Sequence, residues 1–207
     1  MKNESLESFD VGALKVRIFQ DTDPQSPRED WNLGTLFTAH RNYALGDRDS
    51  VESVEEAVEI AASKDYLSLP VFMLDHSGLC VRTGDFNDVD PGELDSGQVG
   101  IIYVSKEEVL KEYSWKRLTK VREALIRKYL DAEIETLNQY LTGDVYGYVI
   151  EGPDGEEIDS CWGFYGMEYC RAEGQAVAES IHKNAKTMAV HIPWAGSSAL
   201  DFDALEC

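Results

Sequence analysis

LTGDVYGYVIEGPDGEEIDSCWGFYG, residues 141–166, decides how the chain is read. VYGYVIE (145–151) alternates, the period-two pattern that sends successive side chains to opposite faces of a strand. EEIDSCWGFYG (156–166) carries a second strand. Between them, GPDG supplies Pro153 with its preset φ, Asp154 for the next turn position and Gly155 for the exit. The segment therefore predicts a β-hairpin. If its second strand is regular, Asp159 and Cys161 share one face, with Ser160 and Trp162 on the other. Tyr148, Trp162 and Phe164 then read most simply as core or rim aromatics.

Working outward, ALKVRIF (13–19) predicts a strand with Leu14, Val16 and Ile18 on its apolar face. DTDPQSPRED follows as a proline-broken polar loop. Further short strands are predicted near 34–39, at PVFML (70–74) and at VGIIYVS (99–105). A helix is predicted over 50–65 with Ser50 as N-cap. Val51, Val54, Val58, Ala61 and Ala62 form its inner arc, and Glu52, Glu55, Glu56 and Glu59 form a carboxylate stripe on another. Like charges at i,i+4 repel, so stability alone does not account for that stripe. Ser105 and Glu108 make a capping box for KEEVLKEY. From Thr119 to Leu141, Ile126, Leu130, Ile134, Leu137 and Leu141 mark a longer helix, ended by Gly143. A final helix covers 169–188, with Val177, Ile181 and Met188 inside and Gly174 as a weak point. Strands at both ends with helices between them predict one α+β domain: a mixed or antiparallel sheet, with a hairpin in its C-terminal half, packed by three to four helices. Residues 1–12 are expected to be a flexible N-terminus, 13–192 the domain and 193–207 an acidic tail.

The 207 residues include four Trp, ten Tyr and seven Phe, enough for a substantial core. No apolar run approaches the ~20 residues of a membrane helix. The polar start MKNESLESFD lacks the apolar core of a signal peptide, which implies a cytoplasmic protein. Cys80, Cys161, Cys170 and Cys207 match no zinc or redox spacing and read as reduced thiols. The net charge of -20 is unevenly spread. Residues 51–100 carry 2 basic and 11 acidic side chains, residues 151–207 carry 3 and 11, and residues 101–150 carry 8 of each. Such a field repels nucleic acid and anionic membrane and attracts basic protein surfaces.

Motif chemistry is sparse. Asp75-His76-Ser77 has the letters of a hydrolytic triad, but neighbours in a chain do not point at one another, and the stretch reads as a turn. His76-x3-Cys80 is a single loose pair for a metal. DFNDVDPGELD offers hard oxygens but lacks the glycine and glutamate positions of a calcium loop. No glycine-rich phosphate loop is present. The reading assigns no catalytic residue, metal or cofactor.

NLGTLFTAHRNYALGD, SGQVGIIYVSKEEVLKEY, YLTGDVYGYVIEG and DSCWGFYG together resemble a family of uncharacterised proteins carried by phages and other mobile elements, over roughly residues 13–166. The family brings no activity to any residue. It implies a setting: a mobile genetic element expressed inside a microbial cell.

Charge and setting together lead to an expected function. It is a non-enzymatic counter-defence protein, a DNA mimic that occupies the basic nucleic-acid channel of a host restriction or CRISPR complex. The expected surface is Glu52, Glu55, Glu56 and Glu59, with Asp85, Asp88, Asp90, Glu93 and Asp95, extended by Glu151, Asp154, Glu156, Glu157 and Asp159. The partner is a basic protein surface, with neither nucleic acid nor membrane bound directly. A second reading is an interaction module that uses the aromatic hairpin through Tyr148, Trp162 and Phe164. A third is a metal-assisted carboxylate enzyme.

Overall fold

The computed structural model describes residues 4–190, the last five of them by backbone alone. These residues form an α+β fold of eight strands and four helices, with two four-stranded sheets. The chain packs as two compact units. The tail expected at 193–207 lies outside the described residues.

One unit holds most of a sheet of order β1-β2-β7-β8, from β1 (Glu7–Val11), β2 (Leu14–Gln20), β7 (Val145–Glu151) and β8 (Glu157–Tyr165). The hairpin forms where the sequence predicts it. Residues 7–11, expected to be flexible, instead pair antiparallel with β2, Phe9 opposite Val16. The cause is a second, shorter alternation in ESFDV, whose Glu7, Phe9 and Val11 are half-buried while Ser8 and Asp10 are exposed. β2 buries Leu14, Val16 and Ile18 as expected. The helix α4 (Met167–Val190) buries Cys170, Gly174 and Ala178, while Val177 and Ile181 are only half-buried. Small residues at i, i+4 and i+8 form its closest face. Gly174 is thus a packing position and not a weak point: a Cβ there would lie 3.1 Å from Tyr148 Cγ and 3.2 Å from Val16 Cγ1. The side chain of Met188 lies outside the described residues.

The other unit holds the antiparallel sheet β3-β6-β4-β5, from β3 (Thr35–Thr38), β4 (Tyr66–Asp75), β5 (Leu79–Arg82) and β6 (Ser96–Ser105). β4 starts four residues before PVFML, and Pro70 sits inside it opposite Ile101. The proline is tolerated because β5 pairs only with Phe72–Asp75, so β4 has no ladder partner on that side at position 70. β6 passes close to β3 at Gly100, where a Cβ would collide with the carbonyl oxygen of Phe37.

Alternation along the strands gives this sheet two apolar faces. On one, Leu36, Leu67, Val71, Met73, Val81, Ile102 and Val104 pack against Ile126, Leu130, Ile134 and Leu137 of α3 (Lys120–Thr142). On the other, Phe37, Ile101 and Tyr103 pack against Ala57 of α1 (Val54–Ala62). α3 begins at its Thr119 cap and ends at Gly143, with φ 75°. The short α2 (Lys106–Glu112) carries the predicted capping box from Ser105 and Glu108. α1 departs from expectation. Its N-cap is Ser53, whose Oγ accepts the Glu56 N–H at 3.2 Å, so the helix is shorter than 50–65 at both ends. Its inner contacts are Ala57 and Ile60, whereas Val54 and Val58 are 51% and 61% exposed. Of the arc read as buried, Val54, Val58, Ala61 and Ala62 face solvent, while Val51, ahead of the helix, packs half-buried on the core.

Candidate functional site

Of the fourteen acids expected to form one surface, three stand on α1. Glu55, Glu56 and Glu59 are exposed, and the last turn of α1 holds no basic residue. Glu52 precedes the helix and does not continue its stripe; its backbone N–H donates to Glu56 Oε2 at 3.2 Å. Glu56 thereby ties down the helix start, while Glu55 and Glu59 stand one turn apart beside the exposed Val54 and Val58.

The 83–95 loop uses its acids differently. Arg82 pairs with Asp88, lies 4.1 Å over the buried ring of Phe86 and bonds the Asp85 carbonyl. The bond from Arg82 holds the Asp88 carboxyl below its ordinary value. Asp85 Oδ1 accepts the Asn87 N–H at 3.2 Å, a local turn. Asp90 Oδ2 accepts the Asp95 N–H at 3.0 Å and the Ser96 hydroxyl at 2.8 Å, and the Asp95 N–H bond is the first cause of its lowered pKa. Asp95 in turn meets His76 Nδ1 at 2.8 Å. Glu93 is exposed at a positive φ of 49°. Asp85, Asp88, Asp90 and Asp95 therefore hold the loop in shape, leaving Glu93 as its open carboxylate.

The α1 row and this loop are rooted in different parts of the sheet. α1 packs beside Tyr66 and Tyr103, near the start of β4, while the loop joins β5 to β6 beside the end of β4. Thr83 at the loop's root bonds Asp131 of α3, on the face opposite α1. The root of the loop and α1 thus lie on opposite faces of the sheet. The hairpin acids belong to the other unit. There Glu151 pairs with Arg17 at 2.9 Å, and Glu156 Oε2 accepts the Asp154 N–H at 3.1 Å. Glu157 accepts from the Ser160 hydroxyl at 2.8 Å, and Asp159 from the Ser160 N–H at 2.9 Å.

The aromatic set divides as well. Tyr148 is 4% exposed, which removes it from any partner surface, and burial raises its pKa. Trp162 is 48% exposed and Phe164 half-buried. β8 is an edge strand, and its exposure does not alternate: Cys161 and Trp162 are both exposed. At Asp75-His76-Ser77 the turn is present, with the His76 N–H on the Gly78 carbonyl at 3.2 Å. The Asp75 side chain accepts from Tyr43 Oη at 3.1 Å, not from the local backbone. His76 faces Asp95, and Cys80 lies half-buried in β5. Among the described residues, no group of three or more His, Cys, Asp or Glu side chains is placed to hold a metal.

The strongest polar constellation was not anticipated. Arg28, in the loop read as a plain polar connector, lies between Asp47 and Glu133, with side-chain exposures of 8%, 15% and 17%. Its Nε donates to Asp47 Oδ1 at 3.0 Å and its Nη1 to Glu133 Oε2 at 3.0 Å. Asp47 also accepts the Leu36 N–H at 2.7 Å, and Glu133 the Leu33 N–H at 2.8 Å. Burial acts to lower the Arg28 pKa, but the bonds and charges of Asp47 and Glu133 outweigh it and leave the pKa raised. Every one of these groups is occupied by another, so the triad positions the 26–47 segment and offers no reactive atom. A cavity of about 870 Å³ adjoins it, lined by Asp30, Arg48, Asp49 and Tyr140 among others.

The described residues thus define an acidic α+β protein, and none of their helices is long and apolar enough to cross a membrane. No family model, curated protein or solved structure matches the chain.

Proposed function

We propose that this chain is a non-enzymatic counter-defence protein of a mobile element, acting in the host cytoplasm. It enters the basic nucleic-acid channel of a host restriction or CRISPR complex with carboxylates in the place of phosphates. The observation that supports this reading best is the α1 row: Glu55 and Glu59 exposed one turn apart, about 6 Å along the axis, with no cation in the helix's last turn. That arrangement costs helix stability through i,i+4 repulsion, part of which the helix dipole offsets at Glu55 in the first turn, and it gains further energy against a positive surface. The exposed Val54 and Val58 add apolar contact beside the charge. Glu52, Glu93 and Asp154 supply further open acids elsewhere on the surface.

The test is inhibition of DNA binding by purified restriction and CRISPR complexes, titrated with the full chain at low and high salt. Affinity falls steeply with salt, and Glu55→Lys with Glu59→Lys weakens inhibition by roughly tenfold or more. A salt-independent affinity, or full inhibition by the double reversal, overturns the reading. Loss of activity in Trp162→Ala with the reversal silent would favour the exposed part of the hairpin instead.

A further inference from the structure

α3 leaves one side uncovered. Val121, Leu125 and Tyr129 are 80%, 40% and 43% exposed. The exposed Ala132 and half-buried Thr136 continue the row. Spacings of 4, 4, 3 and 4 hold these five residues in one arc of an α-helix, away from Ile126, Leu130, Ile134 and Leu137 in the core. One rim of the row is ordered in advance. Tyr129 stacks on Tyr113 at 6.4 Å, Tyr113 on Trp115 at 4.6 Å, and the Arg122 guanidinium lies 4.3 Å over Trp115.

Charge along this helix and its flanks is polarised. Residues 116–128 hold Lys116, Arg117, Lys120, Arg122, Arg127 and Lys128 against the single acid Glu123. Residues 129–144 hold Asp131, Glu133, Glu135 and Asp144 and no base. The order opposes the helix dipole, which favours acids at the start and bases at the end. Selection for the stability of α3 alone would reverse it. Some of these charges are engaged within the chain: Arg127 bonds the Ser68 carbonyl, Arg122 the Arg117 carbonyl, and Glu133 pairs with Arg28. Lys128 and Glu135 are both exposed on one margin of the apolar row.

The geometry points to a second copy of this chain as what covers the row. Two α3 helices pair antiparallel about a two-fold axis near Tyr129. Val121 and Leu125 of each copy meet Ala132 and Thr136 of the other, and Lys128 lies within one turn of Asp131 of its mate. Antiparallel pairing lays the basic half on the acidic half twice, whereas parallel pairing would oppose like charges along the whole seam. A uniformly acidic or basic partner would satisfy only half of the helix. Because the row is roughly symmetric about Tyr129 and the charge antisymmetric, the surface complements itself, as a two-fold interface requires. α1 lies on the other face of the same sheet and stays uncovered, so this inference stands apart from the proposed function.

Sedimentation velocity on the full chain across its soluble concentration range tests it. The expected result is a concentration-dependent shift from 23.2 kDa to twice that mass. Leu125→Glu and, separately, Val121→Glu raise the dissociation constant by roughly tenfold or more, with circular dichroism unchanged because both side chains are exposed. Glu135→Lys weakens the dimer although it reduces net repulsion between copies, because Glu135 lies opposite the basic half of its mate. A monomer at every concentration overturns the proposal. So does a dimer insensitive to both apolar-row substitutions, or one strengthened by Glu135→Lys.

Discussion

Arg28 and Glu133 stand 105 positions apart in sequence and 3.0 Å apart in space. With Asp47 they tie a loop, the entry to β3 and the middle of α3 into one ion cluster. Removing the cation would leave two carboxylates largely shielded from water without their counter-charge. Arg28→Met is therefore expected to cost about 3–5 kcal/mol. Arg28→Lys should recover only part of that, because an ammonium cannot span both carboxylates as a planar guanidinium does. Urea unfolding measures both through the midpoint. A loss under about 1 kcal/mol for Arg28→Met would mean that the cluster contributes no more than a surface pair.

The start of α1 gives a second measurement. Ser53→Ala should cost about 1 kcal/mol by leaving the Glu56 N–H without its acceptor. Ser50→Ala should stay within about 0.5 kcal/mol, since Ser50 lies outside the helix. Equal effects at the two serines would contradict the observed cap.

Gly100→Ala should destabilise by about 1–3 kcal/mol or more, because the added methyl would meet the Phe37 carbonyl of the neighbouring strand. Gly97→Ala, three residues earlier in the same strand, has nothing within 4 Å of the new Cβ and should be nearly neutral in packing. Thermal melts of the pair separate close strand approach from a general intolerance of side chains in β6.

Burial pushes the Cys170 thiol up from 9.0 to about 11. Unfolded chain then loses this proton at a lower pH than folded chain. The contribution to stability is complete below about pH 9 and is lost as pH climbs through about 11. Chemical unfolding at pH 8 and above pH 10 should show the decline, and Cys170→Ala should flatten it relative to wild type. In native protein at neutral pH, the exposed Cys161 should react with an alkylating reagent long before Cys170 does. Rapid labelling of Cys170 would contradict its burial.

Much of the fold was legible because local and tertiary preferences agree. GPDG supplies the turn chemistry between two strands, and Ile126, Leu130, Ile134 and Leu137 supply a stripe that the sheet covers. The reading failed where one pattern admits two environments. Val54 and Val58 have helical spacing but face solvent, because Ala57 and Ile60 make the closer approach to Tyr103 and Phe37. β1 was missed because five residues with two acids carry little apolar signal. The Arg28 cluster has no local signature at all, since its members come from three distant segments. The acids could be counted from sequence. What could not be counted was how many of them serve turns, caps and ion pairs, as Asp85, Asp90 and Glu151 do.

That α1 and α3 cover opposite faces of one sheet has a consequence for stoichiometry. Whatever engages one helix leaves the other free, so two chains joined along α3 would carry a pair of identical anionic arms on the far sides of the join. Such an assembly is bivalent. Once one arm is held, the other is confined near any neighbouring site of the same kind, and avidity can exceed single-arm affinity by about 10²–10⁴ with no new contact.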